Sequence, residues 1–300
     1  MHRVALLALL VGCSEYEVYE KEYNELFVQV VEERRSDVLF VVDDSASMSE
    51  EQALLAANFS AFLAVMESAD ADWQLGVTTT DITTSTSGLL RGGIFSPTSP
   101  DLLVAVASAV AVGSAGSRDE AGLEAAAQAV DGRNAGFVRV DSDLHVVVFS
   151  DEDDGSVGDV GTFVEAYTRA SGTGLAQVHG VVGDLPAGCA SGSSAAGPGS
   201  RYVEAIALTE GWRESICTDD YSELLVRVGL SAVGLPETFH LLAVPQPDTL
   251  RVWVDDIEMY AREVDGYTYD AGANAIVFHG RAVPRPGMEV GITYEVASGA

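Results

Sequence analysis

Two regimes of hydrophobic and polar patterning divide this chain. Up to about residue 234, continuous apolar runs alternate with segments whose apolar residues recur at helical spacing. Val38 to Val42 is an unbroken apolar run, as a strand buried on both faces requires. After it, Leu55, Phe59, Phe62, Leu63 and Met66 fall on one helical face. Ser49 with Gln52 reads as a capping box for that helix, and Glu50 and Glu51 suit the positive end of its dipole. Residues 73–82 read as a strand, and Pro100 opens an apolar helix too short to span a bilayer. Ser117 with Glu120 reads as a second capping box, ahead of a helix carrying Leu123, Ala126, Ala127 and Val130. Residues 144–150, LHVVVFS, read as another fully buried strand. A helix near 160–171, a strand near 175–182, a Gly/Ser-rich flexible loop over 186–200 and helical segments near 202–208 and 219–229 complete this part. A further strand is expected at 25–31.

This alternation predicts an α/β fold, a doubly wound and mostly parallel sheet with helices on both faces, over residues 25–234. Beyond Pro236 the texture changes to short strands divided by Pro, Gly and Asp turns, with no amphipathic helix. Residues 235–300 are therefore expected to form a small all-β, β-sandwich-like module. Its Trp253, Tyr260, Tyr267 and Tyr269 are expected in sheet core more than in a binding patch.

The 300 residues are 47% hydrophobic, enough for a packed core. The formal net charge of -30 argues against nucleic acid, whose phosphates need lysine and arginine. It also argues against adsorption on anionic lipid, and it favours cations.

The N-terminus has its own pattern. His2 and Arg3 precede an apolar run from Val4 to Val11, followed by Gly12 and Cys13. The run is too short to cross a membrane and reads as a signal peptide over residues 1–12. Its ending, LVGC, resembles the bacterial lipobox, which implies cleavage before Cys13 and lipidation of that residue. Ser14 after the cysteine resembles outer-membrane sorting. The expected location is the outer membrane of a two-membrane bacterium, facing periplasm or cell surface, with membrane attachment only through the lipid. Residues 13–24, polar and acidic, read as a tether. In an oxidising envelope the remaining cysteines, Cys189 and Cys217, are expected to form a disulfide.

The chemistry sits at the ends of two buried strands. The first runs directly into DDSASM, residues 43–48, and the second into SDEDD, residues 150–154. Asp43, Ser45 and Ser47 offer oxygen ligands from one tight loop, a donor set for a hard cation such as Mg²⁺. This D-x-S-x-S pattern resembles the metal-ion-dependent adhesion site of von Willebrand factor A domains. The resemblance covers about residues 36–234. It implies a divalent metal, Mg²⁺ with Mn²⁺ or Ca²⁺ as alternatives, held by Asp43, Ser45, Ser47, Ser117 and Asp151. Ser117 stands where the family has a threonine. Glu152, Asp153 and Asp154 add carboxylates that the family pattern lacks, expected to raise cation affinity or favour Ca²⁺ or Mn²⁺, and Asp44 is expected to face solvent or a loop amide. The family keeps one metal position open for a carboxylate, so the resemblance implies a protein partner presenting Asp or Glu.

The expected function is a lipid-anchored, metal-dependent protein-binding domain in adhesion or envelope assembly. The alternatives are a metal-independent scaffold lipoprotein and a Mg-assisted hydrolase. No G-x-S-x-G elbow or H-E-x-x-H pair is present, and His145 and His179 lie on predicted core strands, so no catalytic residue is assigned.

Overall fold

A computed structural model describes residues 22–29, 35–68, 71–117, 120–192 and 194–296. The expected signal peptide, Cys13 and most of the expected tether lie outside these residues.

The chain enters with strand β1 (Glu22–Val28) and then builds an α/β unit. This runs β2 (Arg35–Val42), α1 (Ser49–Ser68), β3 (Asp72–Thr79), α2 (Leu102–Val110), α3 (Gly122–Ala129), β4 (Asp143–Ser150), α4 (Val160–Ser171) and β5 (Ala176–Val182). A hairpin of β6 (Cys189–Ser191) and β7 (Ser194–Ala196) follows, then α5 (Ser200–Leu208), β8 (Arg213–Ser215) and α6 (Ser222–Ala232). The last part holds β9 (Thr238–His240), β10 (Arg251–Val254), β11 (Ile257–Glu258), β12 (Tyr267–Asp270), β13 (Ala275–Phe278) and β14 (Glu289–Glu295).

Five strands pair in the order β3-β2-β4-β5-β8, every pair parallel. Successive residues of β2 serve opposite faces. Val38, Phe40 and Val42 point into a core with α1, α2 and α6, whereas Leu39 and Val41 pack with α3, α4 and α5. That double burial is why the run is apolar throughout. On the first face Phe40 is ringed by Phe59, Phe62 and Phe149 at centroid distances of 5.1, 5.6 and 6.0 Å. Helices α1 and α6 approach closely because Gly229 has no side chain; a Cβ there would lie 2.9 Å from that of Val65. Among the described residues no helix is long and apolar enough to cross a membrane.

The C-terminal part forms two antiparallel sheets, ordered β1-β14-β10-β11 and β12-β13-β9. Val252, Ile292 and Tyr294 of one share a core with Phe239, Ile276 and Phe278 of the other. The first strand was expected in the α/β unit and instead belongs here. β1 pairs with β14 from Glu22↔Glu295 to Val28↔Glu289. Tyr23 stacks on Tyr294 at 5.4 Å, Phe27 meets Phe239 at 5.5 Å, and the buried Glu25 takes the Tyr294 hydroxyl and the Leu242 amide. Local patterning marks a strand but not its partner, and this partner lies at the other end of the chain. The sandwich core runs without a break into the α1/α6 face, with the Gly280–Ala282 turn packed on α6.

Two capping boxes do not form. Gln52 turns away from Ser49 and clips two loops together, donating to the carbonyls of Asp43 (2.9 Å) and Gly113 (2.8 Å). Helix α3 starts at Gly122, and its first amides are capped from another loop: Leu123 N–H by Asp154 (3.0 Å) and Glu124 N–H by Ser156 (2.9 Å). Tertiary acceptors have replaced local ones.

Candidate cation site

Three loops meet beyond the carboxyl ends of adjacent strands. β2 runs into Asp43 and Asp44, β3 into Thr80 and Asp81, and β4 into Asp151 and Glu152. From β2 the chain passes to β3 on one side and then returns to β4 on the other. Open parallel sheets bind ligands in the crevice at such a switch in direction.

Asp43 is wholly buried there. Its Oδ1 accepts the Ser45 amide at 2.8 Å and its Oδ2 the Ser150 hydroxyl at 2.6 Å. It also bonds the Ser45 hydroxyl, which lies 3.0 Å from that of Ser47; Ser47 in turn bonds the Asp151 carboxylate. Four of the five expected ligands are thus joined in one hydrogen-bonded string. The fifth, Ser117, arrives on a separate loop. The neighbouring Gly116 donates its amide to the Asp44 carbonyl at 2.9 Å, and a Cβ at Gly116 would sit 2.3 Å from Asp44 Oδ1. Glycine is what lets that loop approach.

Other carboxylates that the sequence did not assign lie near enough to act on these charges. Glu120, read as a capping residue, is 2% exposed and takes the Thr80 hydroxyl on Oε2. Glu51, in the first turn of α1, takes the Ser194 hydroxyl on Oε1 at 2.6 Å. Asp44, expected to face solvent or a loop amide, is half-buried and bonds Thr79. Oxygens of all three, Glu120 Oε1, Glu51 Oε2 and Asp44 Oδ1, are buried with no hydrogen-bond partner, as is Asp151 Oδ1. The sequence signal for Glu120 and Glu51 was an acid on the first turn of a helix. It was ambiguous because helix dipoles attract the same residues.

Unpartnered buried carboxylate oxygens are costly. Burial, then the nearby charge of Asp43, pushes Glu120 up to about 8. Burial, followed by Asp43, Glu152 and Glu51, pushes Asp151 up to about 6. Asp43 and Asp44 are raised too, by burial first. Hydroxyl bonds from Thr80 and Ser47 oppose the rise at Glu120 and Asp151. An all-oxygen donor set with surplus negative charge and orphaned acceptors fits a hard divalent cation. Among the described residues, no three His, Cys, Asp or Glu side chains converge as metal ligands. The set gathered at the sheet end instead joins two carboxylates to hydroxyls.

The extra acids after β4 divide. Asp154 accepts Leu123 N–H and the Ser156 hydroxyl on Oδ1, and the Arg201 guanidinium on Oδ2 at 3.0 Å. Asp153 accepts the amides of Asp154 and Arg201, each at 2.9 Å. Both are spent on holding the loop, contrary to the expectation that they add to the cation site.

The loop over 186–200, expected to be flexible, forms the β6–β7 hairpin. Cys189 and Cys217 are paired, with Cα atoms 6.0 Å apart. The hairpin reaches the site twice, through Ser194 to Glu51 and through the Gly197 amide to the Asp151 carbonyl at 2.8 Å. His145 and His179 are buried on the α6 face of the sheet, away from this end, with Nδ1 of one 3.2 Å from Nε2 of the other. In the sandwich Tyr267 is buried as expected, while Tyr260 is 72% exposed.

No protein-family model and no curated protein matches the chain by sequence. Solved structures do match. The open conformation of the pilus adhesin SpaC from Lactobacillus rhamnosus GG aligns with 91% of this chain and 40% of its own, at 12% identity and a TM-score of 0.50. A von Willebrand factor type A protein from Catenulispora acidiphila aligns with 97% of this chain and 68% of its own, at 12% identity and a TM-score of 0.39. Proximal thread matrix protein 1 from the mussel byssus aligns with 70% and 48%, at 14% identity and a TM-score of 0.41. The chain thus spans less than half the length of SpaC, and likeness at such identity is one of fold. In fold, the chain is a five-stranded parallel sheet with helices on both faces that carries separate antiparallel sheets, and its fold is similar to that of the pilus adhesin SpaC.

Proposed function

We propose that this protein is a binding module of the cell envelope that engages a protein partner through a divalent cation, in adhesion or envelope assembly. The observation that carries the reading is the string Asp43–Ser45–Ser47–Asp151 at the sheet's switch point, with the unpartnered Oδ1 of Asp151 at its end. Asp43, Ser45, Ser47 and Asp151 would hold the ion, with Ser117 on the adjoining loop. Mg²⁺ suits the donor set, and Mn²⁺ or Ca²⁺ are the alternatives. When bound, the cation supplies a positive centre to which a partner's Asp or Glu oxygen can bond. The chain's own residues orient that centre. Asp43 is fixed by the Ser45 amide and the Ser150 hydroxyl, and Gln52 holds the Asp43 carbonyl against the 113–117 loop.

The fold likeness to a pilus adhesin agrees with a role in binding. Lipid attachment through Cys13 is proposed from the LVGC sequence, and the outer membrane as its place from Ser14 after it.

The test is calorimetric titration of Mg²⁺, Mn²⁺ and Ca²⁺ into the chain and into an Asp43→Ala, Asp151→Ala variant, followed by partner capture with and without EDTA. One-site binding that the variant lacks, with EDTA-sensitive capture, is the expected result. Capture that ignores EDTA would replace this reading with the metal-independent scaffold.

A further inference from the structure

A cavity of 440 Å³ opens at the opposite pole of the sheet, beside the starts of β4 and β5 and the end of α6. Its lining includes Asp143, His145, Trp212, Leu235 and Glu237. The volume falls within the range of small-molecule sites, about 300–1,000 Å³.

The hydrogen bonds around the two histidines point to one arrangement of their protons. The Trp212 backbone N–H donates to His179 Nδ1 at 3.5 Å, so that nitrogen is an acceptor. Burial holds both rings neutral. The proton of His179 is therefore on Nε2, and it points to His145 Nδ1 at 3.2 Å. His145 accepts there, so its own proton is on Nε2. That atom is buried and has no hydrogen-bond partner. A relay running from Trp212 through His179 thus ends in an unmet N–H donor on a residue that is 2% exposed and lines the cavity.

The rest of the lining narrows what would satisfy it. The Trp212 indole, with Leu235, offers an apolar face. Glu237 and Asp143 bring carboxylates, and α6 ends here with the negative end of its dipole. These features disfavour an anion. The donor on His145 disfavours a cation beside it. A hydroxyl serves both sides, accepting from imidazole and donating to carboxylate, and a ring bearing hydroxyls and C–H faces can lie on an indole.

We infer that this cavity is a binding site for a neutral polyhydroxylated ligand of sugar size, with His145 Nε2 as donor, Glu237 as acceptor and Trp212 as the stacking face. It is separate from the cation site, and its occupation requires no metal.

The full chain, in EDTA, is titrated with glucose, galactose, N-acetylglucosamine and myo-inositol. Trp212 indole resonances and the long-range ¹H–¹⁵N pattern of His145 are followed by NMR. The expected result is an Nε2–H tautomer at His145 in the free protein. At least one of the four is expected to shift both His145 and Trp212 saturably. His145→Phe is expected to weaken that ligand tenfold or more, while His145→Gln, which keeps a donor, weakens it less. An Nδ1–H tautomer at His145 would overturn the relay. A well-folded chain whose His145 and Trp212 signals ignore all four at 50 mM concentration (about the weakest useful range, well above the 1 mM that corresponds to about 4 kcal/mol) would overturn the site. Because EDTA is present throughout, neither outcome depends on the cation reading.

Discussion

Asp43 and Asp151 stand at the carboxyl ends of neighbouring parallel strands and are joined through the hydroxyls of Ser45 and Ser47. Hydroxyls bond both carboxylates without neutralising them, so the protein alone leaves the pair in an unfavourable state. Removing one charge should therefore act in opposite directions with and without a cation. In EDTA, Asp151→Asn is expected to leave the melting temperature unchanged or raise it. With Mg²⁺ at a hundred times its dissociation constant, the native chain is expected to gain about 2.7 kcal/mol, and the variant far less. Thermal unfolding with and without Mg²⁺ reads both.

Truncation is the second case. A chain starting at Arg35 keeps the whole α/β unit but loses β1, leaving the edge of β14 open and Tyr294 without Tyr23 and Glu25. Such a fragment is expected to lose more than ~3 kcal/mol, the scale of removing one large buried aromatic, and to aggregate through the open edge. Urea unfolding and light scattering of fragments 35–296 and 22–296 make the comparison.

The β6–β7 hairpin ties the disulfide to the cation site through Ser194 and Gly197. A Cys189→Ser, Cys217→Ser variant is expected to lose about 3.6 kcal/mol, given a sequence separation of 28 residues. Cation affinity should fall with it, because Glu51 and the Asp151 backbone lose their hairpin partners. Calorimetry on the folded variant separates that effect from stability.

Acid should weaken the sheet through its histidines. Burial lowers His145 to about 4 and pushes His179 well below its ordinary value. Above pH 6.5 these rings are neutral folded or unfolded and cost nothing. Below 6.5 the unfolded chain takes up protons that the folded chain refuses, so stability falls as pH drops toward 4. The slope approaches about 1.4 kcal/mol per pH unit for each histidine. Asp143 on the same strand favours protonation of His145 but is outweighed by burial; His179 faces His145 from β5, and Glu237 shares its cavity. Raised carboxylates such as Asp43 and Glu120 act with the opposite sign, so the informative quantity is a difference. Urea unfolding from pH 4.5 to 7 should show a shallower acid loss for His145→Gln, His179→Gln than for the native chain.

Periodicity in the sequence determined the strands at 38–42 and 144–150, the helices between them, the change to β structure after Pro236, and the acidic loops that end the strands. These follow from local rules, since a strand covered on both faces must be apolar throughout and a parallel sheet needs helical crossovers. The tertiary structure alone decided where unmatched groups found partners. It sent β1 to β14, turned Gln52 from a local cap and Asp154 from an extra loop carboxylate into clasps between loops, and brought Glu51 and Glu120 near Asp43. The reason is that hydrogen bonds and charges act through space. A glutamate on a helix's first turn reads alike whether it faces water or a cluster of buried carboxylates, and only the fold determines which.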